Sequence, residues 1–153
     1  MKFLELKIPP PVVLITCAIA IFLLRGFEPR LPLNYTFKAL IGGGFIFLGL
    51  SLDLMGLLAF QKHHTTMNPM APKNASAIVT DGIYKYTRNP QYLGLCLNLV
   101  GWCVINLSCY GFILVPAFIK YIETFQIKPE EEILRAKFGT VYEEYLEKIP
   151  RWF

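Results

Sequence analysis

The stretch Gln91-Tyr92-Leu93-Gly94-Leu95-Cys96-Leu97-Asn98-Leu99-Val100-Gly101-Trp102-Cys103-Val104-Ile105, followed by Asn106-Leu107-Ser108 and then by Cys109-Tyr110-Gly111-Phe112 through Phe125, decides the fold. A bilayer core is crossed by about 20 mostly apolar helical residues. This block is too long for one such helix and fits two. Asn106-Leu107-Ser108 and Tyr110-Gly111 supply turn signals in its middle. The reading is a tight helical hairpin with arms at 92–106 and 109–125. Pro116 is expected to kink the second arm. Both arms are short, which calls for tilt or local thinning of the bilayer.

Two more apolar segments lie upstream. The nearer, 38–60, contains Gly42-Gly43-Gly44, Gly49 and Gly56, which suit close helix packing in a membrane. It also contains Asp53, an expensive residue at that depth: a functional candidate, or a polar partner for a neighbouring helix. The further, 8–24, opens on Pro9-Pro10-Pro11, tolerated where the first helical N–H groups have no partner anyway. Lys2 and Lys7 precede it as in a signal peptide. Leu24-Arg25-Gly26-Phe27 is not a small-residue cleavage site, so a retained anchor helix is expected.

Composition agrees. Of 153 residues, 54% are hydrophobic and 17% charged, and mean hydropathy is +0.44. Soluble domains are typically about 45–50% apolar and about 25% charged. A soluble enzyme, a disordered tail and a nucleic-acid binder are thereby disfavoured. The expectation is all-α: one domain over 1–153, a polytopic membrane bundle of about four spans. Cys17, Cys96, Cys103 and Cys109 all fall in apolar runs and read as small buried hydrophobes rather than a disulfide or zinc framework.

Four spans would leave both termini on one side. That side then carries twelve Lys and Arg residues, against Arg25, Arg30 and Lys38 on the other. The positive-inside rule makes the richer side cytoplasmic. The net charge of +4 is on this reading mostly topology.

Two polar segments then face the cytoplasm. The first runs from His63-His64-Thr65-Thr66-Met67-Asn68-Pro69 to Asp81-Gly82-Ile83-Tyr84 and Arg88-Asn89-Pro90-Gln91-Tyr92. Pro90 suits a helix start, so Arg88 and Asn89 are expected at a helix N-terminus, where anions are favoured. Arg88 there suits a carboxylate or phosphate, or else simply snorkels. The second, the C-terminal segment 128–153, begins Lys128-Pro129-Glu130-Glu131-Glu132, with acid at the positive end of a helix. Glu131 and Arg135 can pair four apart. Leu134, Phe138, Tyr142 and Tyr145 share a stripe, Gly139 should end the first helix, and Pro150-Arg151-Trp152 resembles an interface anchor. Adjacent His63 and His64 without a second ligand cluster make no convincing metal site, and none is expected. There is no P-loop, GxGxxG or GxSxG.

Taken in order, Val79-Thr80-Asp81-Gly82-Ile83-Tyr84, Arg88-Asn89-Pro90-Gln91-Tyr92-Leu93-Gly94, a hairpin, Pro129-Glu130-Glu131, Leu134, Phe138-Gly139, Tyr142, Tyr145 and Pro150-Arg151-Trp152 resemble the integral-membrane methyltransferases. That family includes isoprenylcysteine carboxyl methyltransferases and phospholipid N-methyltransferases. The resemblance covers roughly 60–153, and Thr65-Thr66-Met67-Asn68-Pro69 is similar to its short prokaryotic branch. It implies S-adenosylmethionine as methyl donor at the cytoplasmic face of a cell membrane, with both termini cytoplasmic. It implies Arg88 and Glu131 as catalytic residues. It further implies a cofactor site of Tyr84, Arg88, Asn89, Pro90, Tyr92, Gly94, Glu130, Glu131, Tyr142, Tyr145 and Arg151, with a C-terminal helix completing the pocket. The acceptor would be a lipid or an isoprenylcysteine-like small molecule entering from the bilayer. Asn89 and Ser76 stand where the isoprenylcysteine enzymes usually have histidines, which weighs against that acceptor. Asp53 and Glu123 are candidate acceptor-side groups. An NADPH-dependent membrane reductase relative and a non-catalytic adaptor that kept the fold remain as alternatives. The acceptor's identity, the methylated atom and the oligomeric state stay open.

Overall fold

A computed structural model describes residues 2–28, 34–65 and 68–153. Arg30 of the charge count and Thr66-Met67 of the loop motif lie outside the described residues, as does the side chain of Lys2. All regular structure among the described residues is helical. The main helices are α1 (Pro10–Leu24), α2 (Tyr35–Lys62), α3 (Pro90–Asn106), α4 (Cys109–Ile122), α5 (Lys128–Phe138) and α6 (Thr140–Lys148). Short 3-10 turns occur at Lys2–Leu4, Arg25–Phe27, Pro72–Asn74 and Gly82–Lys85.

The boundaries have local causes. Pro10 and Pro90 open α1 and α3 in the first turn. Asn34 caps α2 by accepting from the Thr36 N–H at 2.8 Å. The predicted turn is real: Leu107 adopts a left-handed conformation (φ 52°), and Ser108 caps α4 by accepting from the Gly111 N–H at 3.0 Å. Glu28 reaches across to bond the Ser108 hydroxyl and the Cys109 N–H, both at 2.5 Å. Arg25 donates to the Asn106 side chain at 3.0 Å nearby. These contacts tie one end of the bundle together.

The first four helices stand where the apolar blocks predict them, in alternating direction. α3 is central: α2 packs along it, and α1 packs on α3 and α4. The core contains Ile21, Leu99, Cys103, Phe118, Ile122 and Ile127. Residues 10–27 and α2 are long and apolar enough to cross a membrane. Their apolar side chains mostly face outward: Ile15, Ile19, Leu23, Leu40, Phe47 and Leu54 are all exposed. A soluble core helix would bury such residues; an outward apolar surface suits lipid. α3 has 17 residues and α4 has 14, short of the roughly 20 a span needs. By length and apolarity, two of the four helices meet the requirement.

The α2–α3 seam explains the glycines. An imagined Cβ on Gly42 would come within 2.7 Å of the Gly101 carbonyl oxygen, and one on Gly49 within 2.6 Å of the Gly94 oxygen. Gly56 meets Gln91. Gly42, Gly49 and Gly56 recur every seven residues, matched by Gly94 and Gly101, so one seam keeps two backbones close. Gly43 and Gly44 have open space at the Cβ position. Two cysteines depart from the expected burial, Cys17 being half-buried along α1. All four are free, but Cys109 is exposed, because the hairpin turn carries it to the end of the bundle.

Downstream, α4 continues through a π-helical turn at Glu123–Ile127 into α5. Pro116 is accommodated inside α4. Gly139 ends α5 as expected, with φ 56° and ψ −131°, a conformation few residues but glycine adopt. α6 then folds back beside α5.

Candidate active site

A cavity of about 430 Å³ opens at the end of the bundle where α1 and α3 begin and α2 ends. Ligand sites typically fall at about 300–1,000 Å³. Its walls come from both polar segments and from α2 and α3. Tyr84, Arg88, Asn89, Pro90, Tyr92, Glu130, Tyr142 and Tyr145, all singled out from sequence, line it together. Glu131, Arg151 and Gly94 do not line it.

Glu131 and Arg151 stand one layer behind. The Arg151 guanidinium meets the Glu131 carboxylate with both branches, at 3.2 and 2.7 Å, and reaches Glu123 at 2.8 Å. Arg88 Nη1 lies 3.4 Å from Glu131 Oε1. Glu131 therefore does not pair with Arg135. The rotation of α5 buries Glu131 and leaves Arg135 exposed, so the local i,i+4 partner loses to two guanidiniums distant in sequence. The hydrogen bonds of Glu131 hold the Arg151 guanidinium in its charged form. Glu123, a candidate acceptor-side group, is instead occupied by Arg151 and, at 3.7 Å, Lys128.

The tail carrying Arg151 is pinned by the loop before α3. The Arg88 N–H donates to the Pro150 oxygen at 3.1 Å. The Thr87 hydroxyl and the Asn89 amide both donate to the Arg151 oxygen, each at 3.1 Å. Buried Thr87 was not foreseen; the only signal was its place beside Arg88. The tail therefore serves as a structural strap across the start of α3. Arg88 Nε is buried and has no partner among the described residues. That spare donor belongs to a residue on the cavity wall.

Glu130 faces the cavity beside Tyr92, whose hydroxyl donates to Glu130 Oε2 at 2.9 Å. Burial pushes the Glu130 carboxyl up to about 7; the Tyr92 bond pulls it down and the Glu131 charge raises it again. By surface area this side chain is partly buried, and it faces the cavity that it lines. Tyr145 donates its hydroxyl to the Tyr84 carbonyl oxygen at 2.9 Å, clasping the two polar segments. Burial raises the phenols of Tyr84, Tyr142 and Tyr145 far above their usual range, so they remain neutral donors. Phe60 stands edge-on to Tyr84 at 5.5 Å.

Gly94 lies on the other face of α3. An imagined Cβ there would strike Asp53 and the Gly49 oxygen. Its place in the motif serves helix packing. Asp53 itself reaches the cavity wall. His63 Nε2 and Lys62 both engage Asp81, at 2.9 and 2.6 Å, and these bonds, Lys62 first, hold the Asp81 carboxyl low. No group of three or more metal-binding side chains occurs among the described residues.

An apolar helical bundle with outward-facing apolar helices and an aromatic-walled cavity at one end marks a membrane-associated protein with room for a small ligand. The model of the phospholipid methyltransferase family matches residues 37–141, and the chain belongs to that family. It is 27% identical over 124 residues to a protein-S-isoprenylcysteine O-methyltransferase of Schizosaccharomyces pombe, covering 80% of this chain and 52% of that protein. It is 27% identical over 119 residues to a probable protein-S-isoprenylcysteine O-methyltransferase of Oryza sativa, covering 76% and 61%. An uncharacterised protein of Haemophilus influenzae is 39% identical over 62 residues, 40% of this chain and 98% of that one. The chain thus spans about half the length of the yeast relative. No solved structure matches.

Proposed function

We propose that this chain is an S-adenosylmethionine-dependent methyltransferase, acting at the cytoplasmic membrane face on a lipid or isoprenylcysteine-like small acceptor. The observation that carries the reading is Arg88: a guanidinium on the cavity wall, held from behind by Glu131, with a buried Nε to spare. When bound, S-adenosylmethionine would supply an electrophilic methyl group on a sulfonium. The donor set suits that ligand. Arg88 and Asn89 offer donors to its amino-acid carboxylate. Glu130 offers an acceptor to its ribose hydroxyls or amino group. The rings of Tyr84, Tyr92, Tyr142 and Tyr145 offer flat apolar and π surface, favourable to adenine and to a sulfonium charge.

On this reading Arg88 and Glu130 orient, Tyr142 and Tyr145 exclude water, and Glu131 and Arg151 keep Arg88 in place. Alignment and water exclusion are what a displacement reaction asks of a protein. Pro90 fixes the start of α3 beneath Asn89. Gly94 acts through the α2–α3 seam. Four spans with both termini cytoplasmic fit the twelve-to-three division of Lys and Arg.

The test is binding of S-adenosylhomocysteine to detergent-purified protein, by calorimetry and by thermal shift. Wild type binds saturably. Arg88→Ala abolishes binding and Glu131→Ala weakens it strongly, while helicity stays unchanged. A folded wild type that binds no S-adenosylhomocysteine overturns the proposal.

A further inference from the structure

The join between α4 and α5 is built around a proline. Pro129 has no N–H, so it cannot supply the hydrogen bond that an α-helix would bring to the Phe125 carbonyl, and its ring would crowd that oxygen. The chain makes a π-helical turn there instead, over Glu123–Ile127, with the Lys128 N–H bonded back to the Glu123 carbonyl. The Phe125 carbonyl is met from the N-terminal segment: the Leu6 N–H reaches it at 2.9 Å. One residue on, the Gln126 side-chain nitrogen donates to the Ile8 carbonyl at 2.8 Å.

Packing alone would select neither contact. Gln126 is fully buried, and its Oε1 has no partner among the described residues. A buried amide left half-paired is costly. Leu6 has φ 55°, a left-handed conformation that penalises any residue with a Cβ. Such strain persists where surrounding contacts hold it. What the contacts hold is a turn that decides where two glutamates point. A π-turn inserts one residue and rotates everything after it by about 100°. With it in place, Glu131 meets Arg151 at 2.7 Å and Arg88 at 3.4 Å, and Glu130 meets Tyr92 at 2.9 Å on the cavity wall. An uninterrupted α-helix would carry Glu131 to the direction of Glu132, which is exposed.

We propose that the N-terminal segment 4–8 is a working part of the site: a brace that holds the π-turn in place and so aims Glu130 and Glu131, with Gln126 as its positioning residue. The consequence for ligand binding rests on the methyltransferase reading; the aiming of the two glutamates does not. Glu123, the first residue of the turn, gives Arg151 a second anion at 2.8 Å, so the brace also fixes the partner that grips Glu131.

Three variants of the full chain in detergent test this. Gln126→Met removes the amide at similar volume. Leu6→Pro removes the Leu6 N–H, and serves if Gln126→Met fails to fold. Leu6→Gly keeps that N–H and suits a positive φ. The first readout is thermal melting against pH. Glu130 is faced by Tyr92, Tyr84, Tyr142 and the Glu131 charge, and shares the cavity with Arg88. Burial raises its carboxyl from 4.5 to about 7, so wild type should lose stability as pH rises through that interval. Gln126→Met and Leu6→Pro should lack the decline, because rotation takes Glu130 off the cavity wall. They should also bind S-adenosylhomocysteine at least about tenfold more weakly, the scale of one hydrogen bond to a charged group. Leu6→Gly should match wild type in both respects. A strut with no part in aiming would lower the melting temperature at every pH and leave the decline intact; that result overturns the proposal. So does a flat wild-type profile, or wild-type affinity for S-adenosylhomocysteine in a folded Gln126→Met or Leu6→Pro protein. If the decline depends on Leu6 and Gln126 but wild type binds no S-adenosylhomocysteine, the brace stands and the methyltransferase reading falls.

Discussion

Glu130 and Glu131 are neighbours in sequence with opposite tasks. Glu131 is buried, gripped by Arg151 and faced by Arg88, and serves as a fixed anion. Glu130 faces the cavity with its carboxyl raised from the usual 4.5 to about 7 by burial. A raised acid means that the folded protein binds the proton more tightly than the unfolded chain does. The contribution of Glu130 to stability is therefore full at low pH and declines as pH rises from about 4.5 to about 7. Ligand-free Glu130→Gln should lack that decline in a series of thermal melts. Binding of S-adenosylhomocysteine, if the carboxylate form receives its hydroxyl or amino group, should tighten through the same interval in wild type and not in the variant. A flat wild-type profile would remove Glu130 from the binding set. At this scale the sequence was legible where chemistry is local: Arg88, Asn89 and Pro90 are adjacent, and Pro90 dictates a helix start. Partners distant in the chain were not legible. Nothing in the spacing of Glu131 and Arg151 announces a two-branched ion pair, whereas Arg135 four residues on offers a visible and wrong alternative. Arg151→Ala should cost about 3–5 kcal/mol if it strands the buried Glu131 charge; a chemical-denaturation midpoint near wild type would show that Arg88 alone suffices.

Among the helices, the seam between α2 and α3 is the decisive contact. It brings Asp53 to the cavity and sets where Arg88 stands relative to α2. Its geometry depends on glycines that admit no Cβ. Gly101→Ala would place a methyl 2.6 Å from the Gly42 oxygen. Such overpacking typically costs about 1–3 kcal/mol. Gly43→Ala meets open space and should be neutral or stabilise by about 0.5–1 kcal/mol, the ordinary helix-interior preference for alanine. Unfolding of both variants in the same detergent separates the two cases, and equal destabilisation would refute the seam. The sequence showed glycine-rich packing in α2 but not which glycines took part, because a triplet spans nearly a full helical turn and only Gly42 faces α3. Gly94 shows the same limit from the other side. Its motif suggested a ligand contact; its surroundings are Asp53 and Gly49. The first four helices, by contrast, were legible to within three residues at each end, and the break between α3 and α4 was plain because Asn106-Leu107-Ser108 interrupts an otherwise continuous apolar run.

The whole molecule has two dissimilar ends. At one, Arg25, Glu28, Asn106 and Ser108 close the bundle with short polar links. At the other, the tail returns to the start of α3, and both polar segments enclose the cavity. The alternating helices make this a statement about sides: if the bundle spans a membrane with its Lys- and Arg-rich end inward, Cys109 must face outward. Cys109 is exposed at the closed end, while Cys96 and Cys103 are buried and Cys17 is half-buried along α1. A membrane-impermeant maleimide applied to intact cells should therefore label wild type, and Cys109→Ser should remove the label. Adding Lys148→Cys to that variant places a thiol at an exposed position on α6, beside the cavity end. It should label only after the membrane is permeabilised. Reversal of both patterns would invert the orientation and put the cavity on the outer face. Labelling of both sites from outside would mean that the two ends share a side, which an alternating four-helix bundle across a bilayer does not allow. The charge asymmetry and the fold would then have to be reconciled by helices lying on the membrane rather than through it.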